Sequence, residues 1–247
     1  MTASSSVAMV GVVGGAGTTR LSVECGATLA RAGYDTVVLD ADYTTQGLAR
    51  YLDGEIDVDL TAVVTGDGSV HEALTEFDLG SDLPGTLSLC PARAPFERLA
   101  RAKTAPAAEA FAGVLRELEQ QVDHVLIDTP PIAENQAVAA VTAADRIALV
   151  APDSARGADA IQRTTERLAD VGTAADTTIL NWSSGTPTIP ADAHVPIGPR
   201  TPAPVCTTDV DTTFAPAVAQ ATEHVLDSTL ELEFPDPSVI DRVRLRG

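Results

Sequence analysis

The sequence predicts an α/β fold, a single doubly wound domain with a mostly parallel central sheet flanked by helices. Short β-branched runs alternate with longer helical stretches along the chain, the pattern of a parallel sheet covered on both faces. The 247 residues, 45% of them hydrophobic, are enough for one substantial core, and no linker divides them.

The elements follow in order. Val7 to Val13 reads as a buried first strand. Thr18 to Ala32 reads as a helix with Leu21, Cys25, Leu29 and Ala32 on one stripe, ended by Gly33 as its C-cap. Thr36 to Leu39 (TVVL) is the second strand, closing on Asp40-Ala41-Asp42. A helix is expected over Gln46 to Leu52, with shorter ones over Leu60–Thr65 and His71–Phe77, then a weaker strand at Leu87–Leu89. Ala107 to Gln121 reads as a helix and His124 to Ile127 as a strand delivering Asp128. Arg146–Ala151 and Thr177–Leu180 are further strands, joined by a helix from Ala155 to Val171. Residues 183–205 are rich in Ser, Gly, Thr and Pro and read as a surface loop with one short strand near His194–Ile197. Phe214 to Leu226 is the last helix, so the domain is expected to span 1–230 and a loosely attached tail 231–247.

Composition excludes several function classes. The net charge of -19 argues against binding nucleic acid by a direct basic face. Lys103 is the only lysine, and this acidic, lysine-poor composition resembles cytosolic proteins of extreme halophiles, whose charge serves solubility. Cys25, Cys90 and Cys206 are scattered without a CxxC pair, so no zinc, iron–sulfur or redox motif is expected. No apolar run reaches membrane-span length and no signal peptide opens the chain, which points to a cytoplasmic protein.

Four motifs carry chemistry. Val13-Gly14-Gly15-Ala16-Gly17-Thr18-Thr19-Arg20 runs from strand to helix N-terminus through glycines, where free amides and the helix dipole favour an anion. The glycines permit the close backbone approach that wrapping a phosphate needs, and Thr19 keeps a hydroxyl able to ligate magnesium. The plainer reading is a tight turn that binds nothing. Asp40 stands at the carboxyl end of strand two, where open α/β sheets bind ligands, and could hold a metal-bound water or orient a nucleophile. Asp128, followed by Thr129-Pro130-Pro131, ends a buried strand in the manner of a magnesium-holding aspartate. Asn181 closes a later strand with an amide able to read an adenine edge, although asparagine there is also ordinary turn chemistry.

Together these stretches resemble the MinD/ParA family of deviant Walker-A P-loop ATPases over roughly residues 7 to 227. The resemblance rests on the loop, on GYDTVVLDADYTTQGLARYL, on DHVLIDTPP followed by NQAVAAVTAADRIALVAPDS, on LNWS, and on VPIGPR. It implies a nucleotide-dependent dimer, with itself or with another MinD-like protein, that positions division sites, chromosomes or surface machinery. By that resemblance Gly14, Gly15, Ala16, Gly17, Thr18, Thr19 and Asn181 bind ATP, and Thr19, Asp128 and Asp40 serve Mg2+, with Asp40 the candidate catalytic carboxylate.

Both family lysines are replaced, the cross-dimer one by Val13 and the phosphate one by Thr18. Losing a charge-assisted contact of about 1.5–3 kcal/mol weakens binding roughly 10- to 100-fold, and losing two preorganised charges leaves little hydrolysis. The expectation is a weak ATP binder or pseudo-ATPase scaffold. The alternative is an active ATPase in which Arg20, expected to pair with Glu24 at i,i+4, or a partner supplies the charge. A further alternative reads Gly11 to Gly17 as an NAD loop with Asp40 on the ribose, which leaves Asp128 and Asn181 idle. A related tyrosine kinase family ends in a tyrosine cluster, but the tyrosines here are Tyr34, Tyr43 and Tyr51. Arg242, Arg244 and Arg246 form the one dense basic cluster; membrane contact through it is the lesser reading against a solvated tail.

Overall fold

The computed structural model describes residues 5–80, 82–184, 189–199, 204, 206–207 and 213–234. Its first strand, β1 (Ser5–Gly11), leads through the glycine loop into helix α1 (Thr18–Arg31), and β2 (Thr36–Asp40) follows. Then come a 3-10 turn at Leu48–Tyr51, α2 (Leu60–Val64), α3 (Val70–Ala73), β3 (Thr75–Glu76), β4 (Leu87–Cys90), α4 (Phe96–Ala102) and α5 (Ala105–Leu118). The second half comprises β5 (His124–Thr129), α6 (Asn135–Ala143), β6 (Arg146–Pro152), α7 (Ala155–Asp170), β7 (Thr177–Ser183), β8 (Ala193–Pro196) and α8 (Phe214–Leu226).

The eight strands form one sheet in the order β3-β4-β2-β5-β1-β6-β7-β8, parallel except where β3 meets β4. β1 lies between β5 and β6, so the chain winds to one side of it and then crosses to the other. That reversal opens a crevice at the carboxyl ends of the strands, where the glycine loop sits. Alternation along β1 feeds both faces: Val7 and Met9 pack with α1 and α8, whereas Ala8 and Val10 pack with Leu149 and Leu168. A third cluster under α2 and α5 gathers Val37, Leu39, Ile127 and Phe111.

α1 ends as its glycine requires: Gly33 has φ 93, its amide bonds to the Ala30 carbonyl, and the Tyr34 amide bonds to the Leu29 carbonyl. Elsewhere two expectations are corrected. The helix expected over Gln46–Leu52 is only the 3-10 turn, because the Leu48 amide is drawn to the buried Asp40 carboxylate at 3.3 Å. The helix expected over His71–Phe77 stops at Ala73 after a Ser69–Glu72 capping box. Thr75 and Glu76 instead pair with β4, and the Phe77 amide bonds to Leu87 at 2.8 Å, which satisfies the outer edge of the sheet. Helix α4, which no periodicity announces, carries Arg98 to the buried Asp59 at 2.8 Å. Beyond residue 230, Leu232 and Phe234 pack against the core, and the Arg31 guanidinium lies 4.7 Å from the Phe234 ring centre. The arginine cluster at 242–246 lies outside the described residues, as does Arg200 of the late segment. Among the described residues no helix is long and apolar enough to cross a membrane.

Candidate functional site

The loop between β1 and α1 is shaped by two left-handed glycines, Gly15 at φ 77 and Gly17 at φ 81. Gly17 is the N-cap residue of α1; no side chain caps the helix, and no acid occupies its first turn. The first-turn amides and the positive end of the helix dipole therefore face a cavity of about 200 Å3. Residues 13–19 of the loop, Asp42, Thr45 and Asp128 to Pro131 line it. Among the described residues no lysine or arginine does. Thr18 is buried, and its Oγ1 would lie 2.5 Å from a Cβ on Gly11. The side chain is thus folded back over the end of β1.

Two carboxylates meet beneath the loop, because β2 and β5 are neighbours in register and Asp40 lies opposite Asp128. They are held differently. Asp40 accepts from the amide of Asp42 at 3.0 Å and from those of Leu48 and Ala92 at 3.3 and 3.4 Å. It does not line the cavity. Asp128 Oδ2 is buried without a hydrogen-bond partner. Burial pushes the Asp128 carboxyl up to about 7, with the Thr19 hydroxyl lowering it and the Asp42 charge raising it. Burial, then the Asp128 charge, raises Asp40 well above the ordinary carboxylate range. Among the described residues no set of three or more His, Cys, Asp or Glu side chains forms a metal cage. A cation here would rest on a hydroxyl and a single carboxylate, and the orphaned Asp128 oxygen beside Thr19 suits that donor set.

Two described cations, Lys103 and Arg20, are engaged elsewhere. Lys103 Nζ lies 2.8 Å from both Thr44 Oγ1 and Glu134 Oε1. Arg20 is bound to the fully buried Glu24 through Nε at 2.6 Å and Nη2 at 2.5 Å, and Glu24 Oε2 accepts from the Cys206 amide.

Arg20 lines a second cavity, of about 430 Å3, on the other side of Gly17. Leu21, Asn181, Trp182, Ile197 and Phe214 are among its walls. Asn181 ties the two sides together: Nδ2 donates to the Ala16 carbonyl at 2.9 Å, and Oδ1 accepts from the Trp182 amide at 3.0 Å. The sequence motifs thus converge on one end of the sheet. Two contributors lay inside the motifs without being singled out: Asp42, which faces the first cavity where Asp40 does not, and Trp182, the sole tryptophan, next to Asn181.

A family model described as an AAA domain (AAA_31) matches residues 4–179. The septum site-determining protein MinD of Bacillus subtilis (strain 168) is 34% identical over 139 residues, 56% of this chain and 49% of that protein. The match therefore spans about half the length of that relative. MinD from Pyrococcus horikoshii OT3, complexed with Mg-ADP, superposes with TM-score 0.75 at 19% identity, covering 90% of this chain and 96% of that one. A chain of the Aquifex aeolicus MinC:MinD cell division protein complex gives 0.74 at 18% identity over 93% of this chain and 98% of that one. At such identities the structural likenesses establish the fold. This chain belongs to the AAA-domain family, and its fold is that of the MinD structures.

Proposed function

We propose that this chain is a cytoplasmic MinD-type positioning factor, serving division-site, chromosome or surface-machinery placement, that binds Mg-ATP weakly and acts as a scaffold with little or no hydrolysis. The observation that carries this reading is a cavity at an uncapped helix N-terminus with, among the described residues, no cationic side chain in its lining. In it the backbone from Gly14 to Thr19 receives the phosphates. The Thr19 hydroxyl, with Asp128 directly or through water, holds Mg2+, whose chemistry when bound is to neutralise phosphate charge. Asp40, saturated by backbone amides, shapes the loop and the 3-10 turn. That engagement also speaks against an NAD loop, which needs Asp40 on a ribose. The Asn181 amide, braced by the loop, faces the base. The partner is a second copy of this chain or another MinD-like chain.

Calorimetry with Mg-ATP in concentrated KCl tests the binding, with Gly17→Asp as the blank. Heat at sub-millimolar to millimolar nucleotide that vanishes in the variant supports the reading; no heat at all removes it. Steady-state phosphate release decides between scaffold and enzyme. Release abolished by Asp128→Ala would establish the active ATPase instead.

A further inference from the structure

Trp182 stands in a conformation that is costly for a bulky residue. Its φ is 59, in the left-handed region that side chains other than Asn, Asp or Gly rarely adopt. Pairing between β7 and β8 slips between Asn181 and Ser183, which leaves Trp182 as the extra residue of a bulge. Bulges of this kind re-aim side chains beside ligand sites, and backbone strain persists where the surroundings enforce it. Here the indole is turned against the glycine loop. A Cβ on Gly17 would lie 2.9 Å from Trp182 Cζ2 and 2.5 Å from Asn181 Nδ2. The residue nevertheless remains 42% exposed and lines the 430 Å3 cavity with Phe214 and with Ile197, itself 68% exposed.

We infer that Trp182 is the principal binding residue of the site, stacking on the base of a nucleoside, so that binding is led by the base rather than by the phosphates. The inference rests on the nucleotide reading above and deepens it. The two sides of Gly17 differ in what they offer a ligand. On the phosphate side, amides compete with the Asp42 and Asp128 carboxylates, and no cation helps. On the other side, an aromatic face and aliphatic walls stand partly open to water, a surface that a planar heterocycle would cover. Stacking of a base on an aromatic side chain is worth roughly 5- to 150-fold in affinity. It is also little screened by salt, whereas charge attraction is. The ligand class is therefore a nucleoside or any of its phosphates, an adenosine one on the reading above, with little preference among them until a divalent cation is present.

The test uses the full chain, whose sole tryptophan reports directly by its emission. Adenosine, AMP, ATP and inorganic tripolyphosphate are titrated with a chelator present, and the affinities are repeated by calorimetry on Trp182→Ala and Trp182→Phe. Expected is binding of adenosine within about 10-fold of ATP, none of tripolyphosphate, a loss of roughly 5- to 150-fold in Trp182→Ala, and most of that restored in Trp182→Phe. Circular dichroism and melting of both variants should match the parent. Tripolyphosphate binding like ATP while adenosine does not would overturn base-led binding and leave the nucleotide reading standing. Unchanged adenosine affinity in Trp182→Ala would overturn the role of Trp182 alone. Failure of every ligand to bind the parent chain would remove both the inference and the reading it rests on.

Discussion

On one side of Gly17 lies a cavity of about 200 Å3 lined by backbone and carboxylates. On the other lies one of about 430 Å3 walled by Trp182, Phe214 and Ile197. Both touch the same helix terminus, yet they hold a ligand by different physics. The first depends on amides and a dipole, and its acids oppose a phosphate unless a cation intervenes. The second depends on apolar area, which is indifferent to the sign of the ligand's charge. On the proposed nucleotide reading, the difference teaches that a loop without a cationic side chain need not silence the site, provided that the apolar side holds the base.

The largest expected effect falls where the two cavities share a residue. Gly17 is left-handed at φ 81, and any Cβ there meets Asn181 and Trp182. Gly17→Ala should therefore damage both cavities at once. It should weaken adenosine and ATP alike by more than about 100-fold and destabilise the fold by roughly 2–4 kcal/mol, read by calorimetry and thermal melting. If adenosine binding survives while ATP binding is lost, the cavities are independent and the coupling through Gly17 is wrong.

Next in size is the electrostatic cost of the phosphate side. The folded state raises the Asp128 carboxyl to about 7, so it holds that proton more tightly than the unfolded chain does. The sign follows: this group opposes folding least below about pH 4, and stability falls as pH rises from there toward 7. In chelator, Asp128→Asn should flatten that slope and be more stable than the parent at pH 8, by at most about 4 kcal/mol. Chemical denaturation across pH measures both. Equal stability at pH 8 would mean that the Asp128 charge is already compensated, and the contrast between the cavities would soften.

How much of this was legible beforehand depended on whether the signal was local. The central strands announced themselves as buried β-branched runs, and α1 did so through its stripe and the glycine after it. The short strand Thr75–Glu76 is exposed on both residues and exists only because the edge of β4 needs partners. Helix α4 buries little beyond Ala102, and Phe96 is exposed, so it carries no apolar stripe. At the site, the loop, Asp128 and Asn181 could be picked out because each ends a strand or starts a helix. Whether Asp40 or Asp42 faces the cavity is decided by the Leu48 and Ala92 amides, the latter 52 positions away. The aim of Trp182 is decided by a slip between β7 and β8. Neither is written in the neighbouring residues.

The smallest expected effect comes from restoring what the loop lacks. In Thr18→Lys the new side chain leaves the end of β1 and reaches the 200 Å3 cavity, where Asp42 and Asp128 await it. A charge-assisted contact of about 1.5–3 kcal/mol would strengthen ATP binding by roughly 10- to 100-fold. Part of that gain is offset, because with no ligand bound the lysine pairs with the two carboxylates that it must then share with the phosphates. The net gain should therefore sit near the lower end, with adenosine affinity unchanged. On the proposed reading hydrolysis should stay near background, because Val13 stands where the resemblance places the other lysine. The informative quantity is the double variant, Thr18→Lys with Trp182→Ala. Once the loop carries its own cation, removing the stacking ring should cost ATP less than it costs adenosine. Equal losses would mean that the two cavities add independently, whatever the loop carries.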